Sequence, residues 1–220
     1  MRPLSLKRSA FGFALVLALL GGGGAARAGG LTASESQRLE RGETVIRPQT
    51  YDADDRRYVG GITYTVLRAA PAEISAIFED VDAYRRVLPR TKRARFVGMD
   101  GGDRLIELAQ GNAIAEAEYT IRVRTDVGGR EVRFWLEPSR PHDIDDAWGF
   151  FRLEPFTTEA GEPRVLLTYA ALVDVGPGIV RELFEERVRS ALLSVPQLLG
   201  GYVAEVRRTR APLAAAEVRR

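Results

Sequence analysis

"PAEISAIFEDVDAYRRVLP", residues 71–89, decides how the chain is built. Pro71 stands where a helix loses nothing by lacking an N–H. Ile74, Ile77, Phe78 and Val81 then recur at helical spacing along one face. Asp82 is placed to cap a second short helix, and Pro89 ends it. The stretch therefore predicts two short helices in succession, the first with one apolar side. Upstream, "RYVGGITYTVLRA" (57–69) reads as a long strand, with Gly60-Gly61 marking a bulge or bend.

Downstream the period changes from helical to alternating. "ARFVGM" (94–99) runs into the turn Asp100-Gly101-Gly102-Asp103, and "RLIELAQ" (104–110) follows it. "EAEYTIRVRTDV" (116–127) sets Tyr119, Ile121 and Val123 against Glu118, Thr120, Arg122 and Arg124. "REVRFWLE" (130–137) does the same with Val132, Phe134 and Leu136. "DAWGFFRLEPF" (146–156) and "RVLLTYAALVDV" (164–175) complete a meander. Such alternation gives a sheet with one dry face and one wet face. From Gly178 to Arg208 the period becomes helical again: Leu183, Val188, Leu192, Val195 and Leu199 fall in one stripe, with Arg and Glu opposite. Pro196 and Gly200-Gly201 predict a kink. The order is strand, two short helices, antiparallel strands and one long amphipathic helix. Its fold class is α+β, a curved antiparallel sheet wrapped around a long C-terminal helix.

This order resembles the START-like (SRPBCC) superfamily, the helix-grip or birch-pollen-allergen fold. Within it, the chain is most similar to the branch of polyketide-cyclase-like and coenzyme Q-binding proteins. The residues that carry the resemblance are the 71–89 stretch with its Asp-x-x-x-Tyr and Leu-Pro ending, "ARFVG", "AWGFFRLEPF" followed by "VLLTYAALVD", and the closing helix. Together they cover residues 57–208. The resemblance implies a deep apolar cavity between the concave sheet and the long helix. Members of the superfamily bind lipids, quinones, sterols, hormones or polyketides, and a minority catalyse reactions in the cavity.

The first 28 residues stand apart. Arg2, Lys7 and Arg8 form a positive start, Ala10–Leu20 is an apolar or small run, and Ala26-Arg27-Ala28 is a small-x-small site. That is the layout of a secretory signal. The apolar run is short of the roughly 20 residues a membrane span needs, so cleavage near Ala28 is preferred to an uncleaved anchor. The expected organisation is a signal peptide at 1–28, an N-terminal linker or extension at 29–56, the domain at 57–208 and a flexible tail at 209–220. The mature protein is expected in the periplasm or outside the cell. The chain has 32 basic and 30 acidic side chains; residues 1–28 hold four basic ones (Arg2, Lys7, Arg8, Arg27) and no acid, which leaves 28 against 30. A nucleic-acid partner is therefore not expected. With no cysteine, neither disulfides nor thiol catalysis are available.

Catalytic residue types are scarce. His142, among Asp143, Asp145 and Asp146, is read as part of a solvated turn rather than a metal site, so neither metal nor cofactor is expected. The aromatic residues are more telling. Tyr119, Phe134, Trp148, Phe150 and Tyr169 come from successive strands, with Ile121 beside them. They are candidates for the sheet wall of the cavity, with Leu183, Val188, Leu192 and Val195 as the helix wall and Glu107 and Arg152 as polar groups inside. Ordinary core packing is the competing reading for each aromatic. For Glu107 the preferred reading is cross-strand ion pairing on the wet face, although it shares parity with Leu105 and Ala109. Arg85, Arg86, Arg90, Lys92, Arg93 and Arg95 follow the short helices, where the resemblance places the cavity mouth. They read first as a solvated edge and second, at Arg90, Lys92 and Arg93, as contacts to anionic lipid headgroups.

The expected function is an exported, non-catalytic carrier of a hydrophobic ligand such as a lipid, an isoprenoid quinone or a polyketide-like molecule. The alternatives are a cyclase- or dehydratase-like enzyme using Tyr or Glu107, and an interaction module with a filled core. Oligomeric state is left open.

Overall fold

The computed structural model describes residues 30–53, 55–113, 116–156, 164–177 and 179–217, with side chains from 184 to 209 in the last of these. The expected signal peptide and its cleavage site lie outside the described residues. The chain separates into two units, residues 1–37 and 38–220. Helix α1 (Ala33–Glu40) begins in the first. Thr32 and Glu35 cap it reciprocally: the Glu35 N–H donates to Thr32 Oγ1 at 3.2 Å, and the Thr32 N–H to Glu35 Oε2 at 2.8 Å.

The second unit holds an eight-stranded sheet with its helices. Strands β1 (Val45–Ala53) and β2 (Arg56–Leu67) come first. Helix α2 (Pro71–Glu79), a 3₁₀ turn (Val81–Ala83) and helix α3 (Tyr84–Val87) follow. Then come β3 (Thr91–Asp100), β4 (Asp103–Gly111), β5 (Glu116–Thr125) and β6 (Glu131–Leu136). Strands β7 (Asp146–Phe156) and β8 (Arg164–Asp174) close the sheet, and α4 (Ile179–Leu193) and α5 (Val195–Glu217) end the chain. The order across the sheet is β1-β2-β8-β7-β6-β5-β4-β3, antiparallel throughout. The short helices thus carry the chain from β2 to the opposite edge at β3, and the meander walks back until β8 pairs with β2. This is the helix-grip architecture the sequence predicts.

The 71–89 stretch folds as its pattern predicts. Ile74, Ile77 and Phe78 are buried, and Val81 packs against the same core. The Glu73 carboxylate accepts the Ala70 N–H at 2.7 Å, which satisfies one orphan donor at the start of α2. At its other end Arg104 of β4 donates to the carbonyls of Phe78 (2.7 Å) and Glu79 (2.8 Å). The short helix is thereby fixed at both termini. Gly60 and Gly61 do not form a bulge, because the registers with β1 and β8 run unbroken through them. They let three strands approach: a Cβ on Gly60 would stand 1.9 Å from the Ala171 carbonyl oxygen, and one on Gly61 2.2 Å from that of Arg47.

Three elements differ from the sequence reading. Residues 45–53, inside the stretch expected as linker or extension, are the edge strand β1. Pro48 and the polar run Gln49, Thr50, Asp52 hide the alternation, as is usual where one edge of a strand faces solvent. Residues 209–217, expected as tail, continue α5 as backbone; the Ala-rich "APLAAAE" supplies strong helix formers. The break in the C-terminal helix falls at Ser194 and not at Gly200-Gly201. Pro196 has no N–H to bond back, and the Gln197 N–H turns to Ser194 O at 3.0 Å. The Leu193 carbonyl then accepts from the buried Thr63 hydroxyl of β2 at 3.2 Å. Gly200 remains helical and brings α5 close to β2: a Cβ there would lie 3.0 Å from Leu67 Cδ2.

Candidate functional site

One face of the sheet and the C-terminal helices do not close completely on each other. They enclose a cavity of about 360 Å³, within the range that takes up drug-sized ligands. Strand periodicity determines its walls. On β5, Ala117, Tyr119, Ile121 and Val123 face inward, and on β6 Val132 and Phe134 do. Strand β7 gives Ala147 and Phe151; β8 gives Tyr169, Ala171 and Val173. Helix α4 supplies Val188, Ala191 and Leu192, and α5 supplies Val195. Phe78, Tyr84 and Val87 of the short helices close one end. The aromatic rings form a continuous cluster: Phe78 lies 4.4 Å from Phe151, Phe151 4.7 Å from Tyr169, and Phe134 6.4 Å from Tyr169, centroid to centroid.

Polar groups inside are few. Tyr84 Oη donates to the Phe78 carbonyl at 3.1 Å. Tyr119 Oη donates to Gln110 Oε1, and the Gln110 amide is held in place by donating to Pro89 O (3.2 Å) and Thr91 Oγ1 (2.9 Å). Tyr119 keeps accessible surface although protein surrounds it, so the surface it shows is that of the cavity. Burial raises the hydroxyls of Tyr84, Tyr119 and Tyr169 well above the ordinary tyrosine range, so all three stay neutral. The charged residues lining the cavity, Arg90, Glu116, Asp143 and Arg187, are exposed and mark its mouth. The 137–145 connection crosses that mouth. Its Asp143 exchanges bonds with the Glu118 backbone, at 2.9 and 2.8 Å, and Ile144 is inserted into the apolar wall.

The structure brings together Tyr119, Ile121, Phe134, Tyr169, Val188, Leu192 and Val195 of the residues expected at the cavity. The side chain of Leu183 lies outside the described residues. Three expectations are corrected, and for Glu107 the preferred wet-face reading holds. Trp148, Phe150 and Arg152 lie on the opposite face of β7, because Phe151 pairs with Tyr169 and Ala147 with Val173. Arg152 bridges Glu131 at 2.9 Å and stacks over Phe150 at 5.2 Å. Glu107 also faces outward, bonded to Arg95 at 3.0 Å and 3.6 Å from Arg93. The signal against Trp148 and Phe150 was present in the sequence: Arg152 and Glu154 share their parity, and charged residues belong to the wet face.

Of the basic run, Lys92 pairs with Glu116, Arg93 with Glu118 at 2.6 Å, and Arg86 with Glu205 at 2.6 Å. Carboxylates thus neutralise most of this edge. Arg90 alone of the run lines the cavity, on a left-handed backbone (φ 56°) tied by the Gly111 N–H to its carbonyl at 3.0 Å. His142 stands in the mouth connection, with Nδ1 2.7 Å from the Ile144 carbonyl. Sequence reasoning missed Gln110, Asp143 and Ile144. Gln110 shares parity with Leu108, but the others come from a loop with no period to read.

No family model and no curated protein matches the sequence. Solved structures do match. A STAR-related lipid transfer protein from Xanthomonas axonopodis superposes with a TM-score of 0.57 at 16% identity, over 73% of this chain and 93% of that one. A START superfamily protein from Mycobacterium smegmatis gives 0.53 at 16% identity, over 66% and 97%. The Zhui aromatase/cyclase from Streptomyces sp. R1128 gives 0.50 at 16% identity, over 76% and 98%. At such identities the likeness is one of fold alone, the helix-grip fold.

Proposed function

We propose that this chain is an exported carrier that holds a hydrophobic molecule between its sheet and its C-terminal helices without chemically altering it. The observation that carries this reading is the cavity of about 360 Å³ with walls that are aliphatic and aromatic and, among the described residues, charges confined to its mouth. Binding draws on burial of apolar ligand surface, worth about 25 cal/mol per Å² before ordering costs. The ligand class is a lipid, an isoprenoid quinone or a polyketide-like molecule. Export rests on the signal-like residues 1–28. A filled-core interaction module is at odds with the open cavity. An enzyme using Glu107 is at odds with that residue's outward position. Contact of Arg90 with an anionic membrane surface during loading fits its place at the cavity mouth.

Filling the cavity tests the reading. Ala191 lines it from the helix side. Ala191→Phe is expected to abolish the fluorescence gain of 1-N-phenylnaphthylamine on binding while the far-UV circular dichroism stays unchanged. Undiminished probe binding in this variant would place the probe elsewhere and refute the cavity as the site.

A further inference from the structure

Three tyrosines line the cavity, and two of them spend their proton on the protein. Tyr84 donates to Phe78 O, and Tyr119 donates to Gln110. The Tyr169 hydroxyl makes no hydrogen bond among the described residues, although the residue is only 2% exposed. The residue lines the cavity, in the aromatic cluster of its sheet wall. A buried hydroxyl without a partner is a cost that most proteins avoid, and a bound molecule would remove it. The surroundings restrict that molecule. The Tyr169 ring is flanked by Phe151 and Phe134, which suits a flat ring with offset stacking. Among the described residues no cation lines the cavity beyond Arg90 and Arg187 at the mouth, so a carboxylate beside Tyr169 would be buried without a counter-ion from them. Tyr119, its proton committed to Gln110, turns only acceptor capacity toward the interior.

We propose that Tyr169 is the polar contact for a neutral oxygen, a carbonyl or hydroxyl, on an otherwise apolar, ring-bearing ligand held in this cavity. The proposal rests on the carrier reading above. A carbonyl accepts from Tyr169. A hydroxyl also accepts from Tyr169 and can in addition donate to Tyr119 Oη.

Two probes of similar shape separate this claim from the carrier reading: 2-methyl-1,4-naphthoquinone and 2-methylnaphthalene, which lacks the oxygens. The chain has no cysteine to capture the quinone covalently. By isothermal titration calorimetry, Tyr169→Phe is expected to weaken the quinone about three- to tenfold, as loss of one hydrogen bond does, and to leave the hydrocarbon unchanged. Its Tm is expected to be no lower than that of the parent protein, because the hydroxyl has no partner among the described residues to lose. Tyr119→Phe, which releases Gln110, is expected to lower Tm. Equal affinity changes for both probes, or none, would overturn the role of Tyr169 while leaving the cavity as a binding site. A lowered Tm in Tyr169→Phe would overturn it too. Failure of both probes to bind the parent protein would remove the carrier reading and this proposal together.

Discussion

Glu137, at the end of β6, is 3% exposed and ionised. Burial pushes its carboxyl up, but the Ser139 hydroxyl and N–H and the Arg122 guanidinium outweigh burial and hold it below the ordinary range. Arg122 also reaches Asp100 and Asp103, and Arg124 clasps Asp103 at 2.6 and 2.9 Å, so the outer sheet face carries a connected charge network. A depressed folded pKa gives stability that is complete above the unfolded value, about 4.3. That stability is lost as pH falls through the folded value. The protein is therefore expected to weaken below about pH 4. Glu137→Gln is expected to cost about 3 kcal/mol at neutral pH and to flatten the acid limb of a stability–pH curve from urea titrations. An acid limb as steep as the parent's would show that Glu137 does not couple folding to protonation. This network was partly legible in the alternation of Arg122 and Arg124 with apolar residues. Its acidic partners were not, because they arrive from turns whose register only the folded sheet fixes.

At the scale of elements, legibility follows the strength of the period. The 71–89 helices, the β5 and β6 alternation and the long C-terminal stripe are all where the sequence places them, since each buries one consistent face. Strand β1 was lost because Pro48 and its polar neighbours mask the period on an edge. Strand β7 was found, but with its faces exchanged: Phe150-Phe151 offers an aromatic to either side, and only the pairing of Phe151 with Tyr169 decides. The position of the helix break likewise needed a partner from another element. Thr63 is fully buried, and its hydroxyl satisfies the Leu193 carbonyl, which the Gln197 N–H leaves free by turning to Ser194. Thr63→Val preserves shape and removes that donor, so it is expected to destabilise the fold by about 1–3 kcal/mol in chemical denaturation. A neutral effect would mean that the Leu193 carbonyl is satisfied in another way.

At the scale of the molecule, a wide antiparallel sheet is faced by helices that cover it incompletely, and among the described residues the remaining space is apolar within and charged at its lip. Sequence pattern anticipated the sheet and helix walls; it could not size the cavity, which depends on how far α4 and α5 stand from β8. The most direct measurement is native mass spectrometry of the protein purified from bacterial cells that express the full sequence. The account predicts a chain beginning near Gly29 that carries an apolar molecule, released on denaturation and absent from the Ala191→Phe variant. A protein that is empty as purified, and remains empty after incubation with membrane extract, would contradict it.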